Sequence, residues 1–276
     1  MKFSLCNEVI ADRPFDEQCA FAASLGYDGL EIAPFTLGDD PRSLSDRDIS
    51  RTLTSLKDAG IVATGLHWLL IKPENLSITT PDAAVRKDTI EVLIRNVELC
   101  AELGGTVLVH GSPKQRSFDL NEDPEGSIER ALDVFRLVAK KAQVVGVTYC
   151  LEPLHAGETH FINRVEEAVE IVDAVNSPAF KTMIDTSSAA KAEKISVPDL
   201  IRQWMPSGHI AHIQFNDSNR RAAGQGDDKF KPILQALKDT NYNGVIAMEP
   251  FIYEPDPSGC AAFTLGYVKG VLESLK

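Results

Sequence analysis

Short β-prone apolar runs alternate along the chain with longer segments whose apolar residues recur at helical spacing. Phe3–Cys6, Gly29–Ile32, Ile61–Leu66, Thr106–Val109, Val147–Cys150, Phe180–Asp185, His209–Phe215 and Val245–Glu249 read as eight strands. Helices are predicted over Phe15–Ser24, Asp46–Ala59, Pro81 or Asp82 to Leu103, Pro124–Val145, Val165–Val175, Val197–Trp204, Phe230–Leu237 and Cys260–Leu275. Their limits have chemical causes. Ser45 is placed to cap the second helix, and Gly26, Gly60, Gly104-Gly105 and Gly146 stand where helices stop. The third helix carries Ile90, Leu93, Ile94, Val97 and Ala101 on one stripe. Eight strands, each followed by a helix, with no Pro/Ser-rich linker, predict an α/β protein: a single (β/α)8 barrel, the TIM barrel, over residues 1–276. The long connection from His67 to Thr80 reads as a candidate lid.

Active sites of such barrels lie at the C-terminal ends of the strands. Four of the runs deliver an oxygen-bearing side chain there. Val147-Thr148-Tyr149-Cys150 leads through Leu151 to Glu152, and Pro153 then stops the strand. Thr182–Asp185, Ile210–Gln214 and Val245–Glu249 end in the same way. A buried carboxylate without a partner costs several kcal/mol, so Glu152 calls for a cation, a metal or a substrate proton. A structural ion pair is the alternative. If the four strands are parallel neighbours, Glu152, Asp185, Gln214 and Glu249 form one all-oxygen cluster. Such ligands suit Mg²⁺ or Mn²⁺ better than a tetrahedral nitrogen–sulfur zinc site.

Composition narrows the classes. A chain of 276 residues, 43% hydrophobic and 25% charged, fits one large barrel as well as two smaller domains, and the unbroken strand–helix rhythm favours the first. A formal net charge of -12 with no basic block argues against a nucleic-acid partner, because such binding begins with phosphate neutralisation. The five cysteines lack CxxC spacing and have apolar neighbours, which predicts reduced, mostly buried thiols in a cytoplasmic protein. The N-terminus runs straight into a strand pattern without a leader-like apolar stretch, and no run approaches membrane-span length; no membrane partner is expected.

The segments LEPLHAGE (151–158), MIDTSS (183–188), HIQFNDSNR (212–220) followed by Gly224-Gln225-Gly226, and MEPF (248–251) resemble the sugar phosphate isomerase/epimerase superfamily, the xylose isomerase-like barrels. The likeness takes in KFSLCNE at the start and the LGYDGLEI segment that leads into and forms the second strand, and covers most of the chain. The motifs are most similar to those of ketose 3-epimerases of the tagatose/psicose type, in which Glu-Pro-Leu is followed by a second Glu six residues after the first. The resemblance implies that Glu152 and Glu249 are the acid/base pair and also metal ligands, with Asp185 the third ligand. It implies substrate contacts at Glu158 and Arg220. It also implies one divalent ion (Mn²⁺ or Mg²⁺, with Co²⁺ or Zn²⁺ as alternatives), a small sugar or keto-sugar substrate, and a homo-oligomer, dimer or tetramer. Two positions depart from the pattern. The metal-binding His of the seventh strand falls on Gln214, as in relatives resembling hydroxypyruvate isomerases and some 3-dehydroshikimate dehydratases. The substrate-binding His three residues after the Asp ligand falls on Ser188. Both count against the three-zinc cluster of the superfamily's apurinic endonucleases.

The remaining polar residues have a functional and a structural reading. His67 and His110 follow strands and are expected to line the pocket, against a role as satisfied core histidines. Trp68 is placed to stack on a sugar face or to pack a loop. His212 shares a strand face with Gln214 and is read as a partner behind the ligands, against simple barrel filling. His155, His160 and Asp227-Asp228 read as peripheral, and Gly224-Gln225-Gly226 as a turn. The expected chemistry is removal of a proton next to a carbonyl, with a divalent ion supporting the enediolate and the two glutamates acting on opposite faces. Returning the proton to the same carbon epimerises, returning it to the neighbouring carbon isomerises, and loss of a β-hydroxyl makes a lyase. The leading expectation is thus a metal-dependent sugar epimerase or isomerase. A dehydratase or keto-glycoside lyase and a hydroxypyruvate isomerase are the alternatives on the same scaffold. A repair nuclease and a non-catalytic sugar-binding barrel are disfavoured.

Overall fold

The computed structural model describes residues 1–275. Eight parallel strands close in sequence order: β1 Lys2–Cys6, β2 Gly29–Ile32, β3 Val62–Leu66, β4 Val107–His110, β5 Thr148–Leu151, β6 Phe180–Asp185, β7 Ile210–Phe215 and β8 Val245–Met248. Pairing of β1 with β8 completes the (β/α)8 barrel that the sequence predicts. The helices are α1 Phe15–Leu25, α2 Asp46–Ala59, α3 Ala83–Glu102, α4 Pro113–Arg116, α5 Pro124–Val145, α6 Val165–Val175, α7 Thr186–Ala192, α8 Val197–Trp204, α9 Phe230–Asp239 and α10 Pro257–Glu273.

Local chemistry sets the element limits. Ser45 and Asp48 form a reciprocal capping box at the start of α2, and Gly60 ends it at φ 73°, a conformation glycine adopts without side-chain strain. α10 starts three residues before the predicted Cys260. The Asp256 side chain accepts the Gly259 N–H at 2.7 Å, and Pro257 occupies a first-turn position that needs no donor. The sequence pattern misses α4 and α7. At four and seven residues they are too short to show a helical period, yet both stand directly behind strand ends.

Alternation along the strands divides the core in two. Val107, Val109, Cys150 and Met183 pack with one another inside the barrel. Leu108, Tyr149, Leu151 and Phe180 face the helices, joining Phe135 of α5 in the main core. Tyr149 and Phe180 stack with centroids 5.8 Å apart, and Phe135 lies 5.2 Å from Phe180. Burial of each such ring contributes roughly 1.5–3 kcal/mol. All five cysteines are buried and free. Among the described residues, no helix is long and apolar enough to cross a membrane.

The connection from His67 to Thr80 is a fixed wall, which corrects its reading as a lid. Leu69, Leu70, Leu76 and Ile78 are buried in the core. The Ile78 N–H donates to Gln115 O at 2.9 Å, Thr79 Oγ1 to Ser117 O at 2.9 Å, and Arg130 Nε to Thr79 O at 2.7 Å.

Candidate active site

Alternation also aims the polar strand ends. Glu152 stands two residues past the inward Cys150, Asp185 two past Met183, and Glu249 two past Ala247. Gln214 pairs in register with Asp185 across β6 and β7. Oxygens of Glu152, Asp185 and Glu249 lie within 4.8 Å of one another. These side chains are 7%, 3% and 4% exposed, so little water screens their mutual repulsion. Burial, then the charges of Glu249 and Asp185, push the Glu152 carboxyl well above its ordinary range. Burial and Glu249 move Asp185 from 3.8 to about 7. Burial raises Glu249 as well, against the opposing pull of His67.

Asp185 Oδ1 accepts the Ser188 N–H at 2.7 Å at the head of α7, while Asp185 Oδ2 has no partner. Gln214 Nε2 donates to Glu31 Oε1 at 2.7 Å, while Gln214 Oε1 is buried without a partner. Three crowded buried carboxylates, one with an orphaned oxygen, and the orphaned amide oxygen of the register neighbour Gln214 are a donor set that would suit one hard divalent cation.

Glu152 is held by the chain around it. Its N–H donates to His110 O at 3.1 Å, and its carbonyl accepts Arg116 Nη1 at 2.7 Å. Gly111 leaves room for its carboxylate, since a Cβ there would stand 2.3 Å from Glu152 Oε2. Arg116 is fully buried; burial draws its guanidinium down to about 10, against the stabilising charges of Glu152 and Glu158. Sequence reasoning missed Arg116, whose only signal is its place in the connection after β4.

Glu249 is gripped from β3. Trp68 Nε1 donates to Glu249 Oε1 at 2.9 Å, and His67 Nδ1 lies 3.1 Å from the same oxygen. The other His67 nitrogen, Nε2, is 2.9 Å from Glu8 Oε2. Burial alone would lower the His67 imidazole, but Glu8 and Glu249 outweigh it and hold the ring well above the ordinary histidine range. Oxygen, nitrogen and sulfur atoms of Cys6, Glu8, His67 and Glu249 also lie within 4.8 Å of one another. His67 stands between the Glu8 and Glu249 carboxylates, so this second group already has its acids paired with an imidazole.

A cleft opens over the carboxylates at the strand ends. His67, Trp68, Glu158, Ser188 and Arg220 line it, as the sequence suggests, and so does His155, which it places at the periphery. Arg220 Nη1 bonds Glu158 across the mouth, and its guanidinium lies 4.1 Å over the Phe251 ring. Phe251, which the sequence reading passed over, stands with Trp68 at 6.1 Å between centroids as an aromatic wall.

One expected contact falls elsewhere. His110 does not line the cleft, which corrects its reading as a substrate contact. It alternates with the inward Val109, so its ring faces the helices, bonding the Tyr149 hydroxyl and meeting Phe135 edge-on. Burial pushes its imidazole down to about 3, leaving it neutral. His212 lies beneath the site, with Nε2 2.8 Å from Glu31 Oε2. Glu31, which joins His212 to Gln214, is a second interior group that sequence reasoning missed.

Comparison with known proteins agrees with this architecture. The profile of the xylose isomerase-like TIM barrel family matches residues 19–263. A D-psicose 3-epimerase of Ruminiclostridium cellulolyticum is 32% identical over 234 residues, 83% of this chain and 76% of that protein. The 3-dehydro-D-guloside 4-epimerase of Escherichia coli is 21% identical over 98% of this chain and 99% of its own. A crystal structure of D-psicose 3-epimerase with D-tagatose from Clostridium cellulolyticum H10 superposes with a TM-score of 0.83 at 25% identity, covering 99% of both chains.

Proposed function

The chain belongs to the xylose isomerase-like TIM barrel family, and on that premise we propose that it is a divalent-metal-dependent epimerase of a ketose or keto-sugar. The observation that carries this reading is the buried convergence of Glu152, Asp185 and Glu249, with unpartnered oxygens on Asp185 and Gln214. Those four side chains would hold the ion, and their all-oxygen character favours Mn²⁺ or Mg²⁺. When bound, the ion supplies Lewis-acid polarisation of the substrate's carbonyl oxygen, which acidifies the neighbouring C–H.

The proton traffic belongs to the two glutamates. One carboxylate takes the proton from the carbon beside the carbonyl, and the other, protonated, returns one from the opposite face and inverts that centre. Burial raises the proton affinity of both carboxylates, which suits groups that accept and return a proton. Trp68 and His67 both engage Glu249 Oε1, which keeps this carboxylate fixed while Oε2 serves the substrate. Glu158 and Arg220 offer an acceptor and a donor fork to hydroxyls at the mouth, and Trp68 and Phe251 cover an apolar sugar face.

The test is proton NMR in D₂O with D-psicose, D-fructose and D-tagatose. The Mn²⁺-loaded protein is expected to exchange hydrogen at C3, and the chelator-treated protein is not. No exchange at any carbon beside a carbonyl would refute the reading. A second substrate class is favoured by Ser188 and Gln214, where the ketose 3-epimerase pattern has histidines, and by the end-to-end likeness to the E. coli 4-epimerase. A 3-keto-glycoside in the same panel tests it, with inversion at C4 as the expected product change and a released aglycone as the mark of a lyase.

Two further results are expected. Gln214→His should keep metal binding, because imidazole ligates these ions, and should shift preference toward softer ones such as Co²⁺ or Zn²⁺. Titration calorimetry with each ion checks this, and an unchanged order in a folded variant would remove Gln214 from the ligand set. The thermal shift on adding Mn²⁺ should grow as pH rises. Asp185 is raised from 3.8 to about 7, so the metal-free fold retains a proton that the unfolded chain releases above about 4, and its contribution to stability falls between those values. Metal binding needs the deprotonated carboxylates and strengthens across the same window. Calorimetric Tm differences with and without Mn²⁺ at about pH 5.5 and 7.5 read this directly; equal shifts would contradict it.

A further inference from the structure

Glu31 lies in β2, which is not a neighbour of β7, yet its carboxylate reaches across the barrel interior to two β7 side chains. Its Oε1 accepts Gln214 Nε2 at 2.7 Å and the Cys6 thiol at 3.7 Å, and its Oε2 lies 2.8 Å from His212 Nε2. Glu31, His212 and Gln214 are all buried, so water does not compete for these contacts.

An amide has two unlike ends. Its oxygen ligates a cation, and its nitrogen carries two donor hydrogens and does not. Rotation by half a turn about the last side-chain bond exchanges them at little steric cost. A carboxylate oxygen accepts the amide N–H it faces, so Glu31 stabilises one of the two orientations: nitrogen toward β2 and Oε1 free. That Oε1 is the atom left without a partner, on the residue in register with Asp185. We propose that Glu31 is a positioning residue that locks the Gln214 amide with its oxygen toward the Glu152–Asp185–Glu249 cluster, and so sets the metal affinity of the site. Glu31 touches neither substrate nor ion; it acts through Gln214, with His212 against its other oxygen. The inference rests on the metal-site reading proposed above.

Glu31→Gln tests it, because glutamine at 31 offers both a donor and an acceptor and no longer discriminates between the amide orientations. Mn²⁺ affinity, measured by titration calorimetry on metal-free protein, is expected to fall at least about 10-fold, as for other groups that orient ligands. Gln214→Ala should also weaken binding, and the E31Q/Q214A double variant should bind no more weakly than Q214A alone. Ser4→Ala removes another interior bond, Ser4 Oγ to Thr64 Oγ1 at 2.7 Å, without touching Gln214, and should leave the affinity unchanged. A folded E31Q protein with wild-type affinity overturns the proposal. So do losses that multiply in the double variant, or an equal loss in S4A. Should E31Q not fold, a crystal structure of the Mn²⁺-loaded wild-type chain replaces it: Gln214 must ligate through Oε1 with Nε2 on Glu31, and any other arrangement overturns the proposal. A wild-type protein with no Mn²⁺ affinity would refute the metal reading itself, whereas normal binding beside an indifferent E31Q refutes only the role of Glu31.

Discussion

Glu152→Gln and Glu249→Gln should each fold, take up Mn²⁺ at high concentration, and turn over at least about 10²-fold more slowly than the wild-type protein. Glutamine keeps an oxygen and nearly the same volume, so the cluster loses one charge and little shape. Losing that charge weakens the metal site but relieves repulsion among three buried carboxylates, which should raise the stability of the metal-free protein. Catalysis has no such compensation, because an amide neither accepts nor returns the proton. The two variants should also differ in kind. With the base for one face intact, a single variant should still exchange substrate hydrogen with D₂O while net inversion fails. Proton NMR at saturating Mn²⁺ reads both quantities. Near-normal turnover in both variants would mean that the glutamates are ligands only and that the two-base mechanism is wrong.

Gly111→Ala should cost activity by a different route, with every chemical group of the site still present. The added Cβ would stand 2.3 Å from Glu152 Oε2, closer than atoms approach without displacement. Glu152 cannot retreat by moving its backbone, because its N–H is tied to His110 O and its carbonyl to Arg116. The carboxylate itself must rotate away from the reacting carbon. Displacement of a catalytic group by about 1 Å can cost ~10²-fold in rate, so a loss of that size in kcat is expected. Thermal stability should change much less, since the clash falls on the end of a flexible side chain that lines the cleft. Wild-type kcat in G111A would show that Glu152 has slack in its seat and does not need this position.

The four strand-end oxygens were legible because each interrupts an apolar run where a barrel keeps its chemistry, and alternation alone sends Glu152, Asp185, Gln214 and Glu249 to one face. His110 was misplaced by the same logic applied without parity. Val107 and Val109 were already the inward residues, so the next position had to face α5. The connection from His67 to Thr80 carried its correction in its leucines, whose composition spoke for burial more than for motion. Glu31 and Arg116 were beyond reach for another reason. Glu31 meets Gln214 across 183 residues of chain and through the barrel interior, and Arg116 sits in a helix of one turn. No local period encodes either contact.

Alternation in the barrel also divides the chain into parts that tolerate a change of length and parts that do not. A residue inserted or lost in the connections at the N-terminal ends of the strands lengthens or shortens a loop and leaves the chemistry in place. The same change inside β5 would turn Glu152 outward into the layer that holds Tyr149, Phe135 and Phe180, and bring Leu151 or Pro153 to the cleft. Across β5, β6, β7 and β8, residue count is therefore a functional property in its own right. An odd-numbered insertion or deletion in any of these four strands would abolish the site.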